Sequence, residues 1–148
     1  IPMAIRLGLD AKLYRNTTPG GGPTWDLVGN VRDVTLNLET GEADVTTRGN
    51  NGWRATVGTL KDASIEFEMV WDTGDADFTA FKNAFFNGTS IELAVMDGDV
   101  ATAGSQGLQA ECRIINFTRS EALEEAITVS VTAKPTYSTT PPSWLVTT

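Results

Sequence analysis

Apolar and polar residues alternate along most of the chain, and this pattern limits the fold more than any other feature. The stretch 62–71 shows it best. Its apolar parity holds Ala63, Ile65, Phe67, Met69 and Trp71, and its polar parity holds Ser64, Glu66 and Glu68. The pattern recurs at 33–38 and 127–133, and more weakly at 7–13, 91–95 and 108–117. Successive side chains of a strand lie on opposite faces of its sheet. The sequence therefore predicts a mainly β chain, an antiparallel β-sandwich or half-barrel with one buried and one wetter face.

One segment has helical periodicity instead. Phe78, Phe81 and Phe85 lie at i, i+3 and i+7 within residues 75–87. The acidic residues Asp75 and Asp77 suit the first turn, and Gly88 lies where a C-terminal cap is expected. The pattern predicts one flanking helix at about 75–87 that packs its aromatic stripe into the core.

Two segments lack either period. Residues 40–59 form a polar stretch between two well-patterned strands, with Trp53 near its middle, and we expect a long loop there. The tail 138–148 contains Pro141 and Pro142, which interrupt strand pairing, yet it ends in an apolar cluster. Such a tail is expected to dock, either onto its own domain or onto a neighbour.

Composition excludes several functions. The chain has 148 residues, one domain's length, and we expect residues 1–148 to form a single domain. A net charge of −8 disfavours tight binding to nucleic acid. The chain contains no His and a single cysteine, Cys112, which excludes His-dependent triads and disfavours zinc sites. Cys112 shares the apolar parity of its strand and is expected to be a buried thiol.

Carboxylates were the remaining candidates for chemistry. Five aspartates could suggest calcium, namely Asp72, Asp75, Asp77, Asp97 and Asp99. Position twelve counted from Asp72 is Asn83 rather than the glutamate of an EF-hand, so a helix cap and a solvated turn are the better interpretation. The pairs Glu66 with Glu68 and Glu124 with Glu125 could act in acid-base catalysis, but nothing places them in a cleft. We therefore predict no catalytic, cofactor or metal site, and a protein that is not an enzyme.

The order of these features resembles that of the major tail tube proteins of tailed bacteriophages. The resemblance rests on six stretches: GLDAKLYRN (8–16), WDLVGNVRDVTLNL (25–38), EADVTTRGNNGWR (42–54), IEFEMVWD (65–72), SIELAVMD (90–97) and the closing residues 114–136. The segments DVTTRGNNGW and VSVTAKPT are the most telling. The family is related in fold to other phage tubes and to type VI secretion tubes.

The resemblance implies a structural subunit that assembles into stacked hexameric rings and so forms the channel for DNA ejection. Its partners would be copies of itself, the tape measure protein, the tail terminator and the distal tail or baseplate proteins. DNA would pass without tight binding, because a basic lining would hold phosphates along its length. No cofactor and no membrane is implied, and the chain would be made in the host bacterial cytoplasm and end in the virion tail. The charged residues spaced through the first sixteen positions likewise fit neither a signal peptide nor a spanning helix.

The same resemblance assigns surfaces. The 40–59 loop would contact an adjacent ring through Asp44, Arg48, Asn50, Asn51, Trp53 and Arg54. The N-terminal segment and the 138–148 tail, with Trp144, Leu145 and Val146, would brace neighbouring subunits. From strand parity and the acidity of the chain, we also expect the polar faces of the alternating strands, including Glu66, Glu68 and Glu92, to contribute part of the lumen charge, although parity alone does not distinguish lumen from outer surface.

Two other classes of function compete with this interpretation. A carbohydrate- or peptide-binding β-sandwich module would use exposed aromatic residues, for which Trp25, Trp53, Trp71 and Trp144 are the candidates. A small-ligand β-barrel would be a monomer with a pocket.

Overall fold

The computed structural model describes residues 11–17, 24–121, 123–136 and 141–147. In chain order the elements are β1 (Lys12–Asn16), β2 (Trp25–Leu27), β3 (Val31–Asp44), a 3-10 turn (Arg48–Asn50), β4 (Thr56–Val70), α1 (Ala76–Asn87), β5 (Ser90–Met96), β6 (Gln106–Ser120), β7 (Thr128–Pro135) and β8 (Ser143–Val146). The mainly antiparallel β architecture with one helix confirms the predicted fold class. Across these residues, no helix has both the length and the apolar character needed to cross a lipid bilayer.

The strands form one antiparallel sheet in the order β2-β1-β5-β6-β7-β4-β3, with β8 paired to the first part of β6. The two edge strands follow each other in the chain, so the link 28–30 must reach from one edge to the other. Hydrogen bonds fix this link to the strands beside both edges. The Val28 amide donates to the Leu13 carbonyl of β1, and the Val70 amide of β4 donates to the Asn30 carbonyl. The sheet therefore curls into a half-barrel without closing.

The core lies inside this curl, against α1. Strands from both ends of the sheet contribute to it, among them Leu13 of β1 and Ile65, Phe67 and Met69 of β4. Phe81 packs its ring against Phe67 at a centroid distance of 5.1 Å. Burying a phenylalanine side chain of this kind contributes about 1.5–3 kcal/mol. The alternation in the sequence thus corresponds to one face turned toward the helix.

The helix begins and ends where the sequence predicts. The Asp75 carboxylate accepts a hydrogen bond from the Phe78 amide at 3.1 Å, and Gly88 adopts a left-handed conformation with φ 65°. The Phe78 and Phe81 side chains are buried as expected. Phe85 differs, because it lies at the margin of the core and stacks on Phe117 while part of its ring stays exposed.

Asp77 in the first turn of α1 forms an ion pair with Arg15 of β1, with 2.8 Å between Oδ1 and Nε. Both side chains are mostly buried. Burial raises the pKa of Asp77, and the hydrogen bond and charge of Arg15 oppose that shift. The pair ties the start of the helix to β1.

The other aspartates of the calcium hypothesis have local structural roles. Asp72 accepts a hydrogen bond from the Gly74 amide, Asp97 from the Gln106 amide and Asp99 from the Ala101 amide. Each contact stabilises a turn, in line with the interpretation as caps and turns.

Cys112 is fully buried, as predicted, on the same face as Leu108, Ala110 and Ile114. Burial, together with the nearby carboxylates Glu111 and Glu92, raises the pKa of its thiol to about 12. The thiol therefore packs as a small apolar group.

A second, smaller cluster covers the opposite face of the sheet at β1 and β5. It contains Tyr14, Ala94 and Met96, with Trp25, Val100 and Leu145 packed against them. Strand β8 contributes Leu145, so the tail resumes pairing directly after Pro141 and Pro142.

The extent of the predicted 40–59 loop was wrong. Thr40 pairs with Lys61 of β4, and residues 42–44 pair with residues 58–56 of the same strand. The segment that connects the two strands is therefore 45–55. Both faces of these paired strands are exposed, and this exposure removes the alternation by which strands are recognised in a sequence.

Candidate assembly surfaces

The far halves of β3 and β4 extend beyond the rest of the sheet. Strand β7 pairs with β4 only at residues 65–70, so 37–44 and 56–64 are paired only with each other within the described chain. We call this two-stranded part the ribbon. It carries apolar side chains in solvent, with Leu60 84% exposed and Leu38 and Val57 about half exposed. An isolated two-stranded ribbon is marginally stable in water.

The segment 45–55, which we call the tip, closes the ribbon and is held by its own hydrogen bonds. Thr46 Oγ1 accepts from the Ala55 amide at 2.8 Å, and the Val45 amide donates to the Ala55 carbonyl at 2.9 Å. Asn50 Nδ2 donates to the Trp53 carbonyl at 2.8 Å. The tip therefore has a defined shape before any partner binds.

Asp44 and Asn51 shape the two ends of this turn. The Asp44 carboxylate accepts from the Thr46 amide and hydroxyl, and these hydrogen bonds lower the pKa of Asp44. Asn51 adopts φ 53°, a left-handed conformation that asparagine tolerates well. Of the six predicted loop residues, Asp44 therefore ends β3 and the other five lie on the tip.

The tip displays one large aromatic side chain between two cations. Trp53 is 76% exposed, and Arg48 and Arg54, which precede and follow it in the tip, are exposed as well. Neither arginine forms an ion pair with any other described residue. A rigid aromatic side chain with neighbouring arginines is a typical hot spot of protein interfaces.

Glu66, Glu68 and Glu92 lie on one face of the sheet, opposite α1. The strand register shows that this face is continuous across the sheet. Glu66 of β4 is paired with Thr132 of β7. Ser90 of β5 is paired with Arg113 of β6, which in turn is paired with Lys134 of β7. Serine, threonine and asparagine side chains occupy most of the remaining positions on β7 and the second half of β6.

Each of the three glutamates has a partner. Asn37 Nδ2 donates to Glu66 at 3.4 Å, Arg32 lies 4.0 Å from Glu68, and Asn16 Nδ2 donates to Glu92 at 3.0 Å. Arg113 and Lys134 add positive charge to the same face. These strand faces are therefore polar and mixed in charge.

The tail residues divide between two environments. Leu145 packs in the chain's own second cluster, whereas Trp144 and Val146 are about half exposed. Trp144 Nε1 donates to Gln106 Oε1 at 3.0 Å. Residues 138–140 and 148 of the tail, and residues 1–10 of the N-terminal segment, lie outside the described residues.

The sequence matches the model of one protein family, described as phage tail tube protein, over residues 10–136. The chain belongs to the phage tail tube protein family. It is a structural subunit of a tail tube, and the resemblance seen in the sequence is confirmed. No curated protein matches the sequence significantly.

Solved structures share the fold. The tail tube chain superposes on a subunit from the tail of an empty gene transfer agent particle, refined with C6 symmetry, with a TM-score of 0.74 and 20% identity over 97% of this chain and 100% of that one. A subunit of the SPP1 tail tube gives 0.67 and 18% over 88% and 75%. A chain of the anti-feeding prophage baseplate gives 0.56 and 9% over 93% and 91%.

The competing functions find less support in the tail tube fold. A polar depression of about 130 Å³ on the ribbon is lined by Asn37, Glu39, Asp62, Ala63, Ser64 and Lys134, and its volume is below that of ordinary ligand pockets. The concave side of the half-barrel is filled by core side chains such as Phe78 and Phe81. Of the four tryptophans, Trp25 and Trp71 pack against the two clusters, so they do not form a shared sugar platform with Trp53 and Trp144.

Sequence reasoning missed other exposed apolar residues of the tail tube chain. Phe86 lies off the helical stripe and its ring contacts Phe85 edge-on. Ile115 is the extra residue at a bulge of β6, and Leu123 lies in the β6–β7 connection. Phe86 could have been found from its helical position, but the bulge gives no signal in a single sequence.

Proposed function

We propose that this tail tube subunit assembles with copies of itself into hexameric rings, and that the rings stack into the channel through which DNA is ejected. The observation that carries the proposal is the ribbon, a pair of strands that leaves the core, exposes apolar side chains on both faces and ends in a preformed tip. A monomer gains little from such a structure, whereas a tube can bury it. The C6 symmetry of the gene transfer agent tail supports six subunits per ring.

Lateral contacts would use the edges of the sheet. Within the described chain, no strand pairs with the outer edge of β2 or β3. An edge of 14 residues such as β3 exposes unpaired amide and carbonyl groups, which favour association with another sheet. Ring closure removes these edges, which makes a closed ring more favourable than an open chain of subunits.

The polar face with Glu66, Glu68 and Glu92 would line the lumen. The opposite face carries the core and α1, so the helix would lie on the outside of the tube. A lining of hydroxyl, amide and carboxylate groups binds phosphates weakly, because few cations are free to replace the counterions of DNA.

The tip would contact an adjacent ring, and Trp144 and Val146, with the N-terminal segment, would brace neighbours. At the tube ends, the same surfaces would meet the tail terminator and the distal tail or baseplate proteins, and the lumen would hold the tape measure protein. The subunit would be made in the host cytoplasm and end in the virion tail. This role needs no catalysis and no cofactor.

Electron microscopy with light scattering tests the proposal. The pure chain should form rings or tubes as its concentration rises. A variant in which an Asn-Gly turn replaces residues 45–55, joining Asp44 to Thr56, should keep a cooperative unfolding transition but lose long tubes. Asn83→Ala on the exposed helix surface serves as the control and should assemble normally. A wild-type chain that stays monomeric at every concentration and salt would contradict the proposal.

A further inference from the structure

The tip is the strongest candidate for a further assignment, because its charge is opposite to that of the chain. Arg48 and Arg54 are two of only 11 Lys and Arg residues, while none of the 19 Asp and Glu residues lies within 45–55. The tip is thus a small cationic surface, centred on an exposed tryptophan, on an acidic protein.

A complementary surface lies on the described residues of the β6–β7 turn, 121 and 123–127. Its charged residues are all acidic, namely Glu121, Glu124 and Glu125. Glu121 is paired with Arg119 at 3.1 Å, whereas Glu124 and Glu125 form no ion pair with any other described residue. Leu123 beside them is 100% exposed, the apolar counterpart to Trp53.

The two surfaces lie at opposite ends of the same strand. Strand β4 has 15 residues, starting at Thr56 next to the tip and ending at Val70, which pairs with Thr128 next to the turn. At about 3.3 Å per residue the two ends are about 45 Å apart. The tip therefore cannot reach the turn of its own chain.

From this separation we infer that the tip of one subunit docks on the β6–β7 turn of a subunit in the adjacent ring. The inference rests on the proposed stacking of rings. Arg48 and Arg54 face Glu124 and Glu125 of the second copy, and Trp53 packs beside Leu123. Such a contact joins different surfaces, head to tail, so it repeats without closing and gives every ring the same polarity along the tube.

The preformed shape of the tip supports this contact. Its hydrogen bonds through Thr46 and Asn50 already fix the backbone around Trp53, so docking orders few additional groups. The charge pairs are exposed and individually weak, and they select the correct end of the neighbour more than they add affinity.

Charge reversal on each side separately, followed by mixing, tests the inference. One variant carries Arg48→Glu and Arg54→Glu, so its tip and turn are both acidic. The other carries Glu124→Lys and Glu125→Lys, so both are basic. Each alone should raise the critical concentration for tubes by about tenfold or more, because the pairs recur around a ring. An equal mixture should form tubes again, and so should a chain with all four substitutions. Lys82→Glu, a charge reversal on α1, should have little effect.

The outcomes distinguish failure of the docking assignment from failure of the proposed function. If wild type forms tubes and the variants assemble alone as well as wild type, the docking assignment is wrong and the proposed function stands. The same holds if both variants fail and neither mixture nor fourfold variant recovers. If wild type forms no tubes, the proposed function itself fails. If wild-type monomers bind duplex DNA in a gel shift and the variant with Arg48→Glu and Arg54→Glu does not, the tip binds nucleic acid and the inference is overturned.

Discussion

The two halves of β4 have the same neighbour in β3 but different environments. In the half that faces the core, Ile65, Phe67 and Met69 are almost completely buried. In the ribbon half, Val57 and Leu60 are exposed, and β3 is the only described strand that pairs with it. The difference shows that one strand can belong to two structural units, one packed on the core of its own chain and the other without such packing.

Truncations on the two sides of this boundary should give the largest contrast. Phe81→Ala removes a ring that is fully buried against Phe67, and it should lower the free energy of unfolding by about 3–5 kcal/mol. Leu60→Ala on the ribbon should change it by less than about 0.5 kcal/mol. Urea unfolding of the dilute monomer measures both. Equal losses would show that the ribbon belongs to the core.

Glycines provide a second pair. A Cβ at Gly107 in β6 would lie 1.7 Å from the Val95 carbonyl oxygen, so Gly107→Ala must displace backbone and should cost about 1–3 kcal/mol or more. At Gly58 in the ribbon, a Cβ would meet only the methyl group of Thr40 at 3.1 Å, which can move. Gly58→Ala should therefore be close to neutral in the monomer. A thermal unfolding midpoint for Gly107→Ala equal to that of wild type would refute the close approach of β5 and β6.

The buried Asp77–Arg15 ion pair makes stability depend on pH in the part of the chain outside the ribbon and tip, which we call the body. The pKa of Asp77 is raised in the folded state, so the folded chain binds more protons than the unfolded chain. The stability from this group is fully present below the unfolded pKa, about 3.9, and is lost as pH rises through the folded pKa. The advantage of wild type over Asp77→Asn should therefore shrink between pH 3 and pH 6 in urea titrations. Asp72→Asn, in an exposed turn, is the control. An advantage that grows with pH would mean that Arg15 outweighs burial.

The smallest effect on stability is expected at the tip. Trp53→Ala should leave the unfolding midpoint of the monomer unchanged, because the side chain is exposed and its backbone carbonyl still accepts from Asn50. Tube length by electron microscopy should fall sharply, because the variant removes the aromatic centre of the docking surface. A lower unfolding midpoint for the variant would show that Trp53 stabilises the fold. Tubes of normal length would show that Trp53 is not part of the contact between rings.

Burial explains why the body was predictable. Wherever one face of a strand packs on the core, alternation appears in the sequence, as at Ile65, Phe67 and Met69, and a helix with its own caps at Asp75 and Gly88 is equally visible. The ribbon has no buried face, so residues 40–44 and 56–59 were predicted as a loop although they are paired strands. Likewise, the tail after Pro142 was recognised as apolar, but only the register with β6 shows that it docks on its own chain.

The candidate surfaces were partly predictable for the same reason. The length and polarity of the predicted 40–59 loop, and Trp53 within it, indicated the region of the tip, but its bounds at 45–55 came from the strand pairing. Strand parity grouped Glu66 with Glu68, but the position of α1 was needed to show which face they share with Glu92. Glu124 and Glu125 were considered only as a possible acid-base pair, because their relation to the tip depends on the distance along β4 and not on any motif.

Hydrogen exchange of the backbone amides, compared between the dilute monomer and assembled tubes, tests the central claim most directly. Amides of β4 at residues 65–70 should exchange slowly in both states, since β3 and β7 flank them. Amides at 40–44 and 56–62 should exchange quickly in the monomer and slowly in the tube, where a partner covers the ribbon. A ribbon as protected as the body in the monomer, or one that gains no protection on assembly, would contradict the account.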